Sequence, residues 1–323
     1  MKVLFLYPNH EGYFRRPVGL TLIMTVVENA GHDVKLFDTT FMNSDDNMDN
    51  SKREEAGLVK PVTLDNYFNK KSTTEIESDW IKFVEDFQPD LIATTIVEDA
   101  YTYAHRLLGL AKSTCDVPVV VGGSMPTVVP RVMIENPNID YLVEGEGEVA
   151  FKELIDALIK DGDVSQVPNL WYQEDGITKN TGLVKYLDMD EIPFQKLDFW
   201  DDKHFTKPYD GELRNTGFFE GSRGCMHKCH YCINRAFQVF QEEAGKVRRN
   251  KSPRRIIDEV KAIHKERNFN LIMFTDDNFL GRQPRELDEF FKLWKDEIDL
   301  PYWINTCIET VNDHNLPLLK ASG

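Results

Sequence analysis

The stretch RGCMHKCHYC, residues 223–232, places Cys225, Cys229 and Cys232 in a C-x3-C-x2-C pattern. Three thiolates this close together can hold one face of a cubic iron–sulfur cluster and leave one iron without a protein ligand. A small molecule with an amine and a carboxylate can chelate that iron. The spacing leaves two alternatives open: a structural zinc site with His227 or His230 as the fourth ligand, and cysteines that serve only the structure.

The residues around this loop predict a series of strands and helices. Strands are expected at 216–221, 271–275 and 302–310, and helices at 252–267 and 284–297. Ser252 suits the N-cap of the first of these helices, and Pro253 suits its first turn. This order predicts parallel strands, and it places the cysteine loop at the carboxyl end of one of them, where βα proteins keep their chemistry.

The first half of the chain predicts a separate α/β domain. Strands are expected at 2–7, 33–38, 90–96, 117–121 and 141–143, with helices at 17–30, 79–87, 101–112 and 148–160. Continuous apolar strands separated by helices indicate a parallel sheet covered on both faces. The polar residues 42–77 are expected to form a long mobile loop, and 170–181 a hairpin with its turn at Asp175-Gly176. We therefore predict domains at 1–165 and 214–323, joined by the hairpin and a connector at 166–213.

Composition narrows the class of protein. The 323 residues carry a net charge of −16, which disfavours generic nucleic-acid binding. Five cysteines, three of them clustered, do not resemble a secreted disulfide framework and predict a reducing cytoplasm. No apolar run approaches the ~20 residues of a membrane helix. One basic stretch, residues 246–255, predicts either a solvated helix start or a contact with an anion.

The cysteine pattern, with the aromatic Tyr231 before the third cysteine, resembles the signature of the radical S-adenosylmethionine superfamily. That resemblance implies a [4Fe–4S] cluster on the three cysteines and S-adenosylmethionine on the open iron, cleaved to a 5′-deoxyadenosyl radical. It implies an adenine contact for the Tyr231 backbone and a ribose contact for Glu309, expected at the end of the third strand, with Cys307 as a core residue of that strand. The position that holds the methionyl amine departs from the common Gly-Gly-Glu form and offers Asp276, Asp277 or Asn278.

The glycines of the first domain resemble those of the cobalamin domain found in one radical subgroup. The resembling segments lie at the ends of the third and fourth strands and after the fifth, where ligands of such sheets bind. They imply cobalamin contacts at Thr94, Thr95 and Ile96, at Gly122, Gly123, Ser124, Pro126 and Thr127, and at Gly145 and Glu146. The Asp-x-His-x-x-Gly motif that supplies a lower cobalt ligand is absent. His10 is therefore expected either as a polar loop residue or as a cobalt ligand, and a vestigial domain without cofactor is the alternative.

The fold implied is a flavodoxin- or Rossmann-like cobalamin domain followed by part of a (β/α) radical barrel, which ends after three of the family's βα units. The activity implied is methyl transfer to an unactivated carbon or phosphorus. Alternatives are a radical cyclase or ring-rearrangement enzyme, an inactive fragment, and a non-catalytic cobalamin or cluster carrier. Expected partners are a small-molecule substrate, a flavodoxin or ferredoxin electron donor, and a second polypeptide that completes the barrel. A methylthiotransferase is disfavoured, because its amino-terminal domain would need three more cysteines and the first domain here offers only Cys115.

Overall fold

The computed structural model describes residues 1–9, 16–42, 54–60, 62, 64, 67–160 and 162–323. His10 and much of the predicted polar loop at 42–77 lie outside these ranges. The chain divides into two compact units. The first unit comprises residues 1–184 and 195–203, and the second unit comprises 185–194 and 204–323.

The first unit is built on a sheet of seven strands within the described residues, in the order β2-β1-β3-β4-β5-β6-β7. Strands β1 to β5 are parallel, and β6 and β7 extend the sheet antiparallel beyond β5. Their bounds are β1 Lys2–Tyr7, β2 Asp33–Asp38, β3 Leu91–Thr95, β4 Val119–Gly122, β5 Tyr141–Val143, β6 Leu170–Glu174 and β7 Ile177–Asn180. The parallel sheet predicted from the apolar runs is confirmed.

Helices connect these strands. They are α1 Val18–Asn29, α2 Thr73–Phe87, α3 Tyr101–Thr114, α4 Ser124–Val128, α5 Pro130–Ile134 and α6 Glu148–Ile159. Helix α2 begins six residues before the predicted start at 79, because Ser72 and Glu75 form a capping box there. Its Trp80 is fully buried and donates a hydrogen bond of 2.7 Å to the carbonyl of Leu107 on α3.

The hairpin between β6 and β7 has its turn at the predicted Asp175-Gly176. Both residues have positive φ, 50° and 72°. A two-residue turn with two positive φ angles matches the right-handed twist of the flanking strands. The hairpin is therefore part of the first unit's sheet.

The second unit contains a sheet in the order β13-β12-β9-β8, in which β9, β12 and β13 are parallel and β8 is antiparallel to β9. Two short strands, β10 and β11, pair antiparallel elsewhere in the unit. The strands are β8 Thr206–Tyr209, β9 Glu212–Phe219, β10 Ser222–Arg223, β11 Arg249–Asn250, β12 Leu271–Phe274 and β13 Tyr302–Trp303. The helices are α7 Ile233–Phe240, α8 Pro253–Arg267, α9 Pro284–Glu297 and α10 Asn315–Ser322.

The last parallel strand is shorter than predicted. It ends at Trp303, and Ile308–Thr310 forms a short 3-10 turn. Cys307 and Glu309 therefore do not lie on a strand, and that part of the prediction is wrong. The cause is Asn278, whose Oδ1 accepts hydrogen bonds from Thr306 Oγ1 at 2.7 Å, the Cys307 amide at 3.2 Å and Thr310 Oγ1 at 3.1 Å. These bonds fix residues 306–310 in a turn.

The predicted connector contains two segments that belong to different units. In residues 195–203 the Lys196 amide donates to Thr25 Oγ1, and the Trp200 indole donates to Thr21 Oγ1, all within the first unit. Residues 185–194 belong to the second unit, where Asp190 Oδ1 accepts from the Ser252 amide. Among the described helices, none has the length and apolar character needed to cross a membrane.

Candidate functional site

The cysteine loop lies between β10 and α7 in the second unit. Gln238 on α7 donates two hydrogen bonds back to the loop, to the carbonyl of Cys225 at 2.7 Å and to that of His227 at 2.9 Å. Gly224 has φ +73°, and a Cβ there would lie 2.6 Å from the Val247 carbonyl oxygen. The helix that follows the cysteines and the glycine that precedes them thus fix the loop's backbone.

The three loop thiols differ in exposure. Cys225 is buried, Cys232 is half-buried, and Cys229 is exposed. In the described part of the chain, the one set of three ligands close enough together for a single ion is Cys225, His227 and Cys307, within 4.8 Å of one another. Tetrahedral zinc, with Zn–S of about 2.3 Å, would hold thiolates about 3.8 Å apart. The loop cysteines form no such set. Their donor type and spacing suit a larger cluster, in which each thiolate binds a different iron.

A half-buried arginine, Arg248, lies beside the loop. The guanidinium of Arg248 donates to Ser222 Oγ at 2.6 Å, to the Gly224 carbonyl at 3.2 Å and to the Asn278 carbonyl at 3.1 Å. Burial lowers the pKa of Arg248, while Asp276 and the Cys225 thiol act in the opposite direction. This side chain therefore places a cation close to thiols that must be deprotonated to bind a metal.

Asp276 is almost completely buried, and its carboxylate is already in use. It accepts hydrogen bonds from the Gly221 amide at 2.8 Å and from Ser222 Oγ, and it pairs with Arg282 at 3.4 Å. Burial raises the pKa of Asp276, although Arg282 and these hydrogen bonds oppose the rise. From these contacts we infer that Asp276 positions the segment before the cysteine loop.

The other predicted S-adenosylmethionine contacts fall into two groups. Asn278 is buried, and its Nδ2 lies 3.4 Å from His227 Nε2, so it links the end of β12 to the cysteine loop. The side chains of Asp277, Glu309 and Tyr231 are exposed, Tyr231 to 94%.

Most side chains of the basic stretch at 246–255 bind carboxylates or carbonyls of the protein itself. Lys251 is buried and pairs with Glu259 at 2.7 Å. Arg249 donates to the Leu187 carbonyl at 2.9 Å, and Arg255 donates to the Asp190 carbonyl at 3.1 Å. These side chains therefore anchor residues 185–194 and the start of α8 in the second unit.

In the first unit the predicted cobalamin segments meet at the carboxyl edge of the sheet. The Ile96 amide donates to the Gly122 carbonyl at 2.8 Å, which links the ends of β3 and β4. Thr127 Oγ1 donates to the Gly123 carbonyl at 2.8 Å and accepts from the Gly145 amide at 3.0 Å. Hydrogen bonds thus connect all three segments. Thr94, Ile96, Pro126 and Thr127 are buried, and Thr95, Gly122, Gly123, Ser124, Gly145 and Glu146 are half-buried.

Two adjacent glycines, Gly122 and Gly123, show how closely a bulky ligand can approach this edge of the sheet. Gly123 has φ +103°, and a Cβ there would lie 2.5 Å from Thr95 Oγ1, so the fold itself requires glycine. Gly122 differs, because the nearest atom to a Cβ is the Val143 carbonyl oxygen at 3.7 Å. The protein leaves that space open at a position where a ligand can approach the backbone, and the edge therefore fits a cofactor such as cobalamin.

Sequence reasoning missed a buried carboxylate beside this edge. Glu144 follows β5, and its Oε2 accepts a hydrogen bond of 2.6 Å from the Trp171 indole. Burial raises the pKa of Glu144, although that hydrogen bond opposes the rise. The available signal was the acidic residue directly before Gly145 together with a tryptophan on the paired hairpin strand.

Comparison with known families finds one domain model in each half of the chain. The B12 binding domain model matches residues 62–155, and the Radical SAM superfamily model matches residues 219–323. The chain therefore carries a B12-binding domain followed by a radical SAM domain. The cofactors of this class are a [4Fe–4S] cluster, S-adenosylmethionine and cobalamin.

Individual curated proteins are similar to this chain over most or all of its length. An uncharacterized methyltransferase of Pyrococcus horikoshii is 28% identical over 333 residues, covering all of this chain and 63% of the relative. The anaerobic magnesium-protoporphyrin IX monomethyl ester cyclase of Synechocystis is 25% identical over 294 residues, covering 86% of this chain and 50% of the relative. The chain thus spans about half to two thirds of the length of these curated relatives.

One solved structure extends the comparison to the fold. The radical S-adenosylmethionine methyltransferase TsrM from Kitasatospora setae, with cobalamin and a [4Fe-4S] cluster bound, aligns with a TM-score of 0.69 at 17% sequence identity. The alignment covers all of this chain and 57% of TsrM. The predicted combination of a parallel-sheet domain with a radical-type βα domain is confirmed as a fold.

Proposed function

We propose that the chain acts in radical, cobalamin-dependent methyl transfer to an unactivated carbon or phosphorus of a small-molecule substrate. The observation that carries the proposal is the cysteine loop. Gln238 donates a hydrogen bond to the Cys225 carbonyl of this loop, and Arg248 donates one to the Gly224 carbonyl. The methyltransferases among the similar proteins support the same reaction.

When bound, the cluster with S-adenosylmethionine supplies the radical chemistry, and cobalamin supplies a carrier for the methyl group. The chain's own work is to hold these groups. Each of the three loop cysteines, Cys225, Cys229 and Cys232, would bind one iron of the cluster. Gln238 would hold the loop backbone in the conformation that allows this. The Arg248 guanidinium would place a positive charge beside the thiolates that bind the cluster and would offset part of their negative charge.

In the first unit, the open backbone at Gly122 would lie against cobalamin. The hydrogen bonds of Thr127 to Gly123 and Gly145 would keep the three strand-end segments in register. The remaining contacts stay proposals from the family resemblance. They are the Tyr231 backbone, Asp277, Asn278 and Glu309 for S-adenosylmethionine, and a flavodoxin or ferredoxin as electron donor.

A radical cyclase is the second candidate, because the magnesium-protoporphyrin ester cyclase of Synechocystis is also similar to this chain. Both candidates use the same cysteine loop. They differ in what becomes of S-adenosylmethionine. Radical methyl transfer converts it both to 5′-deoxyadenosine and to S-adenosylhomocysteine, whereas a radical cyclase has no need to form S-adenosylhomocysteine.

The test is anaerobic reconstitution of the full chain with iron and sulfide, followed by addition of a low-potential reductant, S-adenosylmethionine and methylcobalamin. We expect cluster absorbance, a reduced-cluster paramagnetic signal and 5′-deoxyadenosine. Cys229→Ala should lose all three. Cys115→Ala is the matched control, because this thiol lies in the first unit, and it should retain them. Failure of the metal-free chain to assemble a cluster from iron and sulfide, or a Cys229→Ala variant that still cleaves S-adenosylmethionine, would contradict the proposal.

Release of S-adenosylhomocysteine decides between the two candidates. For this step hydroxocobalamin replaces methylcobalamin, so that the reduced cobalamin can accept the methyl group of S-adenosylmethionine without substrate. If the chain then forms S-adenosylhomocysteine together with 5′-deoxyadenosine, and S-adenosylhomocysteine depends on cobalamin, methyl transfer is supported. If 5′-deoxyadenosine forms alone under the same conditions, the cyclase is favoured.

A further inference from the structure

A second set of metal ligands overlaps the cysteine loop. Cys225 and His227 lie on the loop, and Cys307 lies in the segment after β13, all in the second unit. One ligand atom from each residue lies within 4.8 Å of the other two. The loop's other cysteines, Cys229 and Cys232, do not belong to this set.

Two polar side chains hold these ligands together. Gln238 fixes the carbonyls of Cys225 and His227. Asn278 accepts from the Cys307 amide at 3.2 Å with Oδ1, and its Nδ2 lies 3.4 Å from His227 Nε2. A single buried amide therefore connects the imidazole to the backbone of the distant cysteine, and an amide beside the ring can orient it as outer partners of metal ligands do.

The chemistry of the set is that of a zinc-class ion. Two thiols and an imidazole are the ligands that zinc and cobalt(II) prefer in tetrahedral sites. Ligand distances of about 2.0–2.3 Å would place these donor atoms about 3.5–3.8 Å apart, a contraction within the reach of side-chain rotation. The fourth position would remain for water or another small ligand.

We propose that the cluster-free chain binds one zinc-class divalent ion through Cys225 Sγ, the His227 imidazole and Cys307 Sγ, and that this ion and the iron–sulfur cluster exclude each other. The exclusion follows from Cys225, which serves both sites. Binding displaces the thiol protons of Cys225 and Cys307 into solution and changes no oxidation state.

The test is an anaerobic titration of the metal-free full chain with cobalt(II) and then with zinc. Cobalt should give one equivalent of a tetrahedral spectrum with thiolate charge-transfer bands, which zinc then displaces. Cys307→Ser and His227→Ala should each weaken binding by more than about tenfold, since even loss of an outer-shell partner costs that much. Cys229→Ser, Cys232→Ser and the distant control Cys115→Ser should bind as the parent chain does.

The variants give opposite results if the proposal is wrong. Loss of cobalt binding in Cys229→Ser or Cys232→Ser, with Cys307→Ser unaffected, would assign the ion to the loop cysteines and overturn the proposal. An octahedral spectrum, or no binding by a chain with native circular dichroism, would overturn it too. Circular dichroism of each variant identifies any that fails to fold. In that case Asn278→Ala replaces it; this substitution leaves all three metal ligands in place, removes the amide that holds Cys307 and His227, and should weaken cobalt binding.

Competition with iron completes the test and stands apart from the proposed function. Zinc added first should slow iron uptake by the parent chain and should affect Cys307→Ser far less. Equal inhibition of both would contradict exclusion through this set. A chain that never assembles a cluster would contradict the proposed function, but the cobalt titration would still test the proposed zinc site.

Discussion

Lys251 and Glu259 form an ion pair inside the second unit, with Nζ 2.7 Å from Oε2 and side chains only 1% and 3% exposed. The Lys251 amide also donates to the Gly221 carbonyl, directly before the cysteine loop. The pair therefore joins the end of β11 to helix α8 close to the proposed cluster site.

Removing one partner of this pair should be costly. Lys251→Met would remove the closest counter-charge of the buried Glu259 carboxylate and leave the Arg255 guanidinium, 3.9 Å away, as a weaker partner. We expect the free energy of unfolding to fall by up to about 3–5 kcal/mol. Urea unfolding followed by circular dichroism measures this. The exposed pair of Lys292 with Asp296 is the control, and Lys292→Met should change the same quantity by less than about 1 kcal/mol. Equal effects of the two variants would mean that burial of the first pair is unimportant.

Glu144 should make the first unit less stable as the pH rises. Burial raises the pKa of its carboxyl, so the folded chain holds a proton that the unfolded chain releases near the ordinary pKa of about 4.3. Its contribution to stability is therefore present at acidic pH and is lost as the pH rises through the raised pKa. Glu144→Gln, which keeps an acceptor for Trp171, should flatten this part of the profile. The measurement is the unfolding midpoint in urea between pH 4 and 8, and an unchanged slope in the variant would refute the assignment.

The adjacent glycines at the carboxyl edge should respond differently to the same substitution. Gly123→Ala combines a contact of 2.5 Å with Thr95 Oγ1 and a positive φ, and it should destabilise the first unit by about 1–3 kcal/mol from backbone strain alone. Gly122→Ala meets nothing closer than 3.7 Å and should fold normally. We expect it to weaken cobalamin binding, measured by the visible spectrum after gel filtration. Full binding by a folded Gly122→Ala variant would show that the open space is not used by the cofactor.

Gln238 should control how well the cysteine loop retains a cluster. Gln238→Glu replaces the shared donor with an acceptor facing the carbonyls of Cys225 and His227, so we expect lower iron occupancy and faster loss of the cluster to a chelator. Gln241→Ala is the control, because its side chain accepts from Tyr186 and contacts neither of those carbonyls. The measurements are the iron content per chain and the rate at which the cluster absorbance is lost to the chelator. Identical rates for Gln238→Glu and the parent chain would show that Gln238 does not affect cluster retention.

The sequence predicts well what local pattern controls. Apolar runs such as Val3–Leu6 and Val119–Val121 become buried parallel strands, and the Ser252-Pro253 pair begins α8 as expected. The start of α2 was also readable, since Ser72 and Glu75 stand at capping-box spacing. The family resemblance likewise rests on contiguous residues around Cys225–Cys232, and it needed no knowledge of distant contacts.

The rest depends on partners far apart in the chain. The strand predicted over 302–310 is wrong because hydrogen bonds to Asn278 hold residues 306–310 in a turn. The local sequence at 302–310 does not predict that contact. The buried state of Lys251 depends on Glu259, and the proximity of Cys307 to Cys225 depends on the packing of the whole second unit. Such tertiary contacts override local preference, and they decide most of the side-chain roles at the site.

The divided connector has a practical consequence for dissecting this protein. Any single cut in the backbone between the units deprives one of them of a segment that belongs to it. If the chain is cut after residue 184, the first unit lacks Trp200 and its hydrogen bond to Thr21. If it is cut after residue 203, the second unit lacks Asp190, which accepts from the Ser252 amide at the start of α8. Separate production of the halves therefore calls for a duplicated linker, with residues 185–203 present in both pieces.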